Sequence, residues 1–435
     1  MKQTRKRFFF LTAVLLTFSL LAVSCQIGGG GGKVGDKPVE LLIWKLFEPE
    51  ENLRAIMSAY SLAHSNVKFR YEKKEIATYE QDLLNALASG AGPDIFSIHN
   101  DWLPKYLDKL SPAPETLFTA REFQDTFVDV AKDELYDASG RLYAVPLAVD
   151  VLALYYNRDL LGSAGIALPP RTWEEVVSAV KKLTRQDRLG NFLTNGLAMG
   201  TAVNINRASD ILSLLMLQNG TQIYNSARNI ATLDREIATP TGERYNPGVQ
   251  ALEFYTQFAN PAKETYTWNE KNNYSIDAFV GGQVALLLGY SYLEPIIRGK
   301  APLLNFGIAP VPQIDLAKPK VNFANYFAEA VSKSSPDADT AWDFLKFATR
   351  AENLQSYYSM HKQAATRKDL ISTQIADPQI GVFAEGALTA RTFYKPDAAA
   401  VEAIFTRMIE DVILRNKSAQ QAVSTANQLL GDLLR

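Results

Sequence analysis

Short apolar runs alternate with amphipathic stretches between residues 39 and 98, and this alternation constrains the fold more than any other feature of the chain. Val39-Glu40-Leu41-Leu42-Ile43-Trp44 is a bounded apolar run and predicts a strand. Glu48-Pro49-Glu50-Glu51 then opens a helix, with proline and acids in its first turn, that runs to about His64. Leu53, Ile56, Met57 and Tyr60 share one face of that helix. Val67 to Tyr71 alternates as a second strand. Thr78 and Gln81 form a capping-box pattern before a helix carrying Leu83, Leu84 and Leu87. Gly90-Ala91-Gly92-Pro93 breaks that helix, and Asp94 to Ile98 reads as a third strand. Strand, helix, strand, helix, strand implies an α/β fold with a parallel sheet and right-handed crossovers.

A second unit begins near residue 150. Arg141 to Val149 and Val151 to Tyr156 read as extended segments running from one body into the next. Thr172 and Glu175 form another capping box, followed by Trp173, Val176, Val177 and Val180 at helical spacing. Val284 to Leu288 and Phe306 to Val311 read as strands. Ala341 to Met360, Ala398 to Leu414 and Ala419 to Leu434 read as helices. Residues 221 to 248 are rich in Thr, Asn, Arg and Gly and read as irregular.

The N-terminus is expected to stand apart from the fold. Lys2, Arg5, Lys6 and Arg7 precede an apolar run from Phe8 to Val23, the pattern of a secretory signal. Leu21-Ala22-Val23-Ser24-Cys25 resembles the lipobox of bacterial lipoproteins, which implies a signal peptide over 1–24 and lipidation of Cys25. Residues 25–37, with the run Gly28 to Gly32, then form a flexible leash from a membrane anchor. Cys25 is the only cysteine of the 435 residues, so neither an internal disulfide nor a cysteine nucleophile is available beyond it. The formal net charge of -2 carries no basic excess, which argues against nucleic acid as a partner.

Six further segments carry a family pattern. Gly90 to Phe96 resembles a "GxxPDIF" element. Tyr143 to Asp150, followed by Leu154 to Leu160, is similar to a first inter-lobe crossing and the strand after it. Pro169 to Glu175 resembles "PP.TWEE", Phe279 to Leu286 "F..G..AM", Phe306 to Pro312 "GVAPLP", and Ala341 to Phe347 "A.EFLKFL". In this order the six resemble family 1 extracellular solute-binding proteins, the maltose-binding-protein relatives, over nearly the whole chain after the signal. The resemblance implies a two-lobed, periplasmic-binding-protein-like fold of type II, with discontinuous lobes joined by crossing strands. Lobe one takes 38–147 plus 325–372, and lobe two takes 148–324 plus 373–435.

It also implies a monomeric, extracytoplasmic component of an ABC importer. Such a protein closes around a solute, here a sugar or oligosaccharide, and delivers it to permease subunits, with no cofactor and no catalysis. A polysaccharide-active surface enzyme and a sensory, ligand-presenting receptor are the alternatives.

Ligands of such sheets bind beyond the carboxyl ends of the strands. Sugars need paired donors and acceptors for their hydroxyls and aromatic faces for their rings. In lobe one this selects Trp44, Phe47, Glu48, Asn100, Asp101 and Trp102. Trp44 either meets the ligand or ends a buried strand, and Asp101 and Trp102 either meet it or cap and pack the next helix. Asp150 lies in the crossing and either lines the cleft or fixes hinge backbone. In lobe two, Asn204, Asn206 and Arg207 precede an apolar helix, where Asn206 can also serve as a cap; Tyr290 and Tyr292 follow a strand. Asn325, Tyr326 and Glu329 fall where the chain returns to lobe one. Arg391, Phe393 and Tyr394 precede the C-terminal helices, and Arg391 is equally suited to an ion pair. No Arg/Lys cluster occupies these loops, which weighs against a highly charged anion. The sequence contains no G-x-x-x-x-G-K-[ST] phosphate loop, no H-E-x-x-H and no G-x-S-x-G, and only three histidines, so ATPase, metallohydrolase and serine-hydrolase chemistry find no support.

Overall fold

The computed structural model describes residues 37–239 and 241–435. The expected signal peptide, lipidated Cys25 and all of the glycine leash but Lys37 lie outside the described residues.

In chain order the first strands are β1 (Val39–Leu46), β2 (Val67–Lys74), β3 (Ile95–His99), β4 (Leu110–Ser111), β5 (Ala144–Val145), β6 (Ala148–Val149) and β7 (Ala153–Asn157). Then come β8 (Arg185–Gln186), β9 (Phe192–Leu197), β10 (Ile237–Ala238), β11 (Arg244–Tyr245), β12 (Val284–Gly289) and β13 (Phe306–Pro310). The last are β14 (Asn322–Phe323), β15 (Phe327–Ser332), β16 (Ala364–Ala365) and β17 (Ala390–Arg391).

Two main sheets result. The first has the order β2-β1-β3-β15-β4, with β5 also on β15, and the second β13-β7-β12-β9-β8. β1 and β3 run parallel, as the strand–helix alternation predicts, but β15 inserts antiparallel beside β3, pairing Phe327 with His99 and Ala330 with Phe96. In the second sheet β12 is parallel to β9 and antiparallel to β7. Ile43, Phe96 and Ile98 in one sheet and Leu154, Leu286 and Leu288 in the other are buried to 1 % exposure or less, so both sheets are covered on their faces.

The two sheets meet end to end. The chain leaves the first sheet at β5 and enters the second at β7 within a few residues, and it returns from β13 by way of β14, which lies outside both main sheets, into β15. Val151 bridges Ala324 between these two passages, β6 pairs with β16, and β14 with β17. The ends of β1 and β3 and the start of β15 therefore face the start of β7 and the ends of β9 and β12.

Local signals held unevenly. The box at Thr172 is present, with Thr172 accepting from the Glu175 amide and Glu175 reaching back to the cap. The box at Thr78 is not: the helix starts at Ile76, so Thr78 already lies in its first turn, and Glu75 at the cap makes no side-chain bond. The helix expected from Glu48 begins at Glu51. The single helix expected over Ala341 to Met360 is two, Ala338–Ala348 and Ala351–His361. Arg350 between them is extended (φ −63, ψ 149), and Thr349 turns its hydroxyl back onto the Leu345 carbonyl at 2.8 Å. The region 221–248 contains the small hairpin β10–β11 and the start of a helix at Pro247. Among the described residues no helix is long and apolar enough to cross a membrane.

Candidate functional site

At the end of β1, Phe47 is held at φ 62, and the residue is 58 % exposed. A left-handed conformation costs a bulky L-residue about 1–2 kcal/mol, so the surroundings must impose it. Its ring meets Phe327 edge-on at 5.6 Å, and Phe327 in turn meets His99 and Trp102. Trp102 stacks on Tyr106 at 5.6 Å. Trp44 is buried, with the Lys74 ammonium 3.6 Å from its ring centre. Of the first-sheet candidates, only Phe47 and, in part, Trp102 present ring surface to solvent.

Beneath these rings lies a row of buried charge. Lys45, Ser97 and Glu329 stand on adjacent strands; Lys45 pairs with Glu329, and Ser97 donates to it at 3.1 Å. Burial works against the Lys45 charge, but Glu329 and Glu48 outweigh it and raise its pKa. Glu48 accepts from Tyr357 at 2.7 Å.

A second network joins the first sheet to the stretch after β17. Asp101 binds His99 Nδ1 at 2.5 Å and Lys395 Nζ at 2.7 Å. Burial opposes its charge, yet His99 and Lys395 hold its carboxyl well below the usual carboxylate range. Asn100 donates to Glu134 at 2.9 Å; Tyr326 donates to the same carboxylate at 2.9 Å, and Thr392 donates to it as well. Burial pushes Glu134 up to about 7 against these three donors. Asp150, in the crossing, accepts from the Ser291 amide at 3.0 Å, the Ser291 hydroxyl at 2.8 Å and the Val151 amide at 2.9 Å. Burial likewise raises it to about 7. The Asn325 amide donates to the Asp150 carbonyl at 2.9 Å, tying the two crossings together.

These shifts give a signed prediction. Glu134 and Asp150 hold a proton in the folded chain at pH values where the unfolded chain, near 4.5 and 3.8, has lost it. His99, whose pKa is raised by Asp101 against the cost of burial, acts in the same direction, and His361, lowered by burial, opposes it. Stability should therefore rise as pH falls from 8 to 5, by up to about 1.4 kcal/mol per pH unit for each fully engaged group. Urea unfolding at a series of pH values checks this; a midpoint that falls over that interval contradicts it.

At the end of the second sheet the loop after β9 carries the remaining candidates. Gly200 lies in this loop at φ 120, and a Cβ there would come within 2.7 Å of the Ala259 backbone nitrogen. Asn204 is consumed by the loop itself: it accepts from Trp268 Nε1 at 3.1 Å and donates to the Asn269 and Asn272 carbonyls. Asn206 donates to the Tyr292 hydroxyl at 3.0 Å and accepts from that of Tyr274 at 3.0 Å. The two tyrosines after β12 part ways. Tyr290 is 1 % exposed and donates to Asp210 at 2.9 Å, whereas Tyr292 is 38 % exposed. Arg207, at φ 58, places its guanidinium 6.0 Å from the Tyr290 ring centre. Asn206, Arg207, Tyr274, Tyr292 and Glu402 line a recess of about 380 Å³, within the size range of about 300–1,000 Å³ usual for small-molecule sites.

The last candidates pack near the stretch after β17. Phe393 stacks on Phe405 at 5.6 Å, and Tyr394 meets Tyr224 and lies 5.2 Å from the Arg228 guanidinium. The Arg391 carbonyl accepts from the Ala324 amide. Sequence reasoning missed Glu134, Lys395, Tyr274 and Glu402. Tyr274 and Glu402 lie far from any strand end, and no local pattern marks them.

Comparison with known proteins agrees with this fold. The chain is 21% identical over 381 residues to the galactooligosaccharide-binding protein of Bacillus subtilis (strain 168), covering 87% of this chain and 84% of that protein. It is 23% identical over 326 residues to the maltodextrin-binding protein of the same organism, covering 70% of each. The fold matches a cyclo/maltodextrin-binding protein solved with maltotetraose at a TM-score of 0.75 and 18% identity, over 92% of this chain and 98% of that one. A cyclic alpha-maltosyl-1,6-maltose binding protein from Arthrobacter globiformis matches at 0.74 and 18% identity, over 91% and 99%. The fold is thus the two-lobed α/β type II architecture of periplasmic binding proteins. A model of bacterial extracellular solute-binding proteins matches residues 48–355. That family binds and does not catalyse, so the surface-enzyme alternative is set aside: this chain belongs to the bacterial extracellular solute-binding protein family.

Proposed function

We propose that the chain is the solute-capturing component of an ABC importer and that its solute is a saccharide, held between the two sheet ends and handed to a membrane permease. The observation that carries this reading is the recess beside Tyr292. It sets two part-exposed tyrosine rings next to an amide, a guanidinium and a carboxylate, the mixture of flat apolar faces and hydrogen-bonding groups that a sugar presents in complement. Phe47 and Trp102 offer aromatic surface from the other sheet end. The names of the relatives, which bind galactooligosaccharides and maltodextrins, support the same class. In this reading lobe one comprises 38–147 plus 325–372 and lobe two 148–324 plus 373–435. Closure follows from a ligand that touches both and so favours the closed form by its differential affinity. Lipidation at Cys25 would keep the protein at the outer face of the cell membrane.

Thermal denaturation of the protein against mono- and oligosaccharides tests the reading. A saccharide at ~100 times its dissociation constant should add about 2.7 kcal/mol of stability and be recovered unchanged. A panel without any response would overturn the saccharide assignment. Tyr292→Ala should weaken the bound saccharide by about 0.5–1.5 kcal/mol, roughly two- to tenfold in Kd. Isothermal titration measures this, and an unchanged Kd removes Tyr292 from the site.

A further inference from the structure

Two buried lysines between the sheet ends have ion-pair partners. Lys45 has Glu329, and Lys395 has Asp101. Arg207 forms no ion pair among the described residues. It lies by the Tyr290 ring, bonds the Tyr292 hydroxyl and is stabilised by the Asp210 carboxylate, which also accepts from the Tyr290 hydroxyl at 2.9 Å. A guanidinium is always charged and carries five donors in a planar fork. Here the residue that carries that fork lines the 380 Å³ recess, with Asp210 acting on its charge and no carboxylate of the described residues within ion-pair distance.

Resting on the saccharide reading above, we propose that the solute is an acidic saccharide, one bearing a uronate carboxylate, and that Arg207 is the residue that selects it. A carboxylate accepts two parallel bonds from the guanidinium, which a hydroxyl pair matches only without charge. Tyr274 and Tyr292 flank the fork, placing ring faces beside the group that carries the carboxylate, and Asn206 fixes both tyrosine hydroxyls. Glu402 also lines the recess and forms no ion pair among the described residues. It sets a limit: one carboxylate is matched by Arg207, while a second charge, or the dianion of a phosphate, meets Glu402. The ligand charge that fits is a single negative one per recess.

Isothermal titration of the full chain distinguishes the outcomes. The probes are uronic disaccharides of the glucuronate, galacturonate and mannuronate series and their neutral counterparts of the same linkage. At least one uronate should bind ten times or more tighter than its neutral counterpart, with the preference shrinking at high salt. Arg207→Gln should weaken that uronate ten- to a hundredfold, and at least tenfold more than it weakens the neutral counterpart. Glu402→Gln should tighten uronate binding. Neutral sugars binding as well as all three uronates would overturn the acidic class and leave the saccharide reading standing. Equal losses for both sugar types in Arg207→Gln would also overturn it, since Arg207 would then read hydroxyls. Binding of no saccharide of either kind would overturn the function proposal and this one together.

Discussion

Lys45→Met should cost about 3–5 kcal/mol of folding stability, the usual penalty for stranding one member of a buried ion pair. The Lys45 and Glu329 side chains are 4% and 2% exposed, so water cannot compensate for the lost partner. Ser97 alone would remain on the Glu329 carboxylate. The charge is the cause, and a double variant shows it. Lys45→Met with Glu329→Leu removes both ions and should recover most of the loss, because an apolar pair of similar volume is commonly neutral or better. Urea unfolding of the two variants beside the parent measures this. A single variant within about 1 kcal/mol of the parent would mean that Glu329 takes up a proton at little cost.

Lys395→Met should be comparably damaging, about 3–5 kcal/mol near neutral pH, but its deficit should depend on pH. Lys395 holds the stretch after β17 against Asp101, and that carboxylate has one other partner, His99, at 2.5 Å. Lys395 works against protonation of His99, so its loss raises the His99 pKa further. Below that pKa an imidazolium stands beside Asp101 and replaces part of the missing charge. The deficit of the variant should therefore shrink as pH falls from 8 to 5. A deficit independent of pH would show that the lysine acts by packing, through its place near Phe323 and Phe393, instead of by its charge.

These two pairs also mark what the sequence could and could not say. β1, β3, β12 and β13 were legible because a buried strand needs a continuous apolar run, and each has one. The family pattern followed from such elements in order, and with it the architecture. Lys45 and Lys395 were not legible, because a buried lysine is defined by its partner, and the partners lie 284 and 294 residues away in the chain. Glu134 was missed for the same reason: Asn100, Tyr326 and Thr392 reach it from three separate stretches. The break at Thr349–Arg350 escaped notice because neither glycine nor proline marks it. Position after a strand selected Phe47 and Tyr292, with Asn206 and Arg207 selected by their place before a helix, and the fold leaves all four at the sheet ends. Position after a strand could not separate Tyr292 from Tyr290, because the choice between solvent and interior there depends on whether Asp210 stands behind the ring.

The insertion of β15 between β3 and β4 reaches beyond architecture. The first sheet is built from strands that begin at Val39, yet its central partner for β3 is not made until Phe327 to Ser332. Contacts of such long sequence separation are slow to form. A chain emerging amino end first, from a ribosome or through a membrane, can assemble the second sheet, whose strands all lie within 153–310, before the first is whole. The amino-terminal half should thus stay open to proteases and chaperones until about residue 332 has appeared, and the protein should acquire its final form late and from the middle of its chain outward.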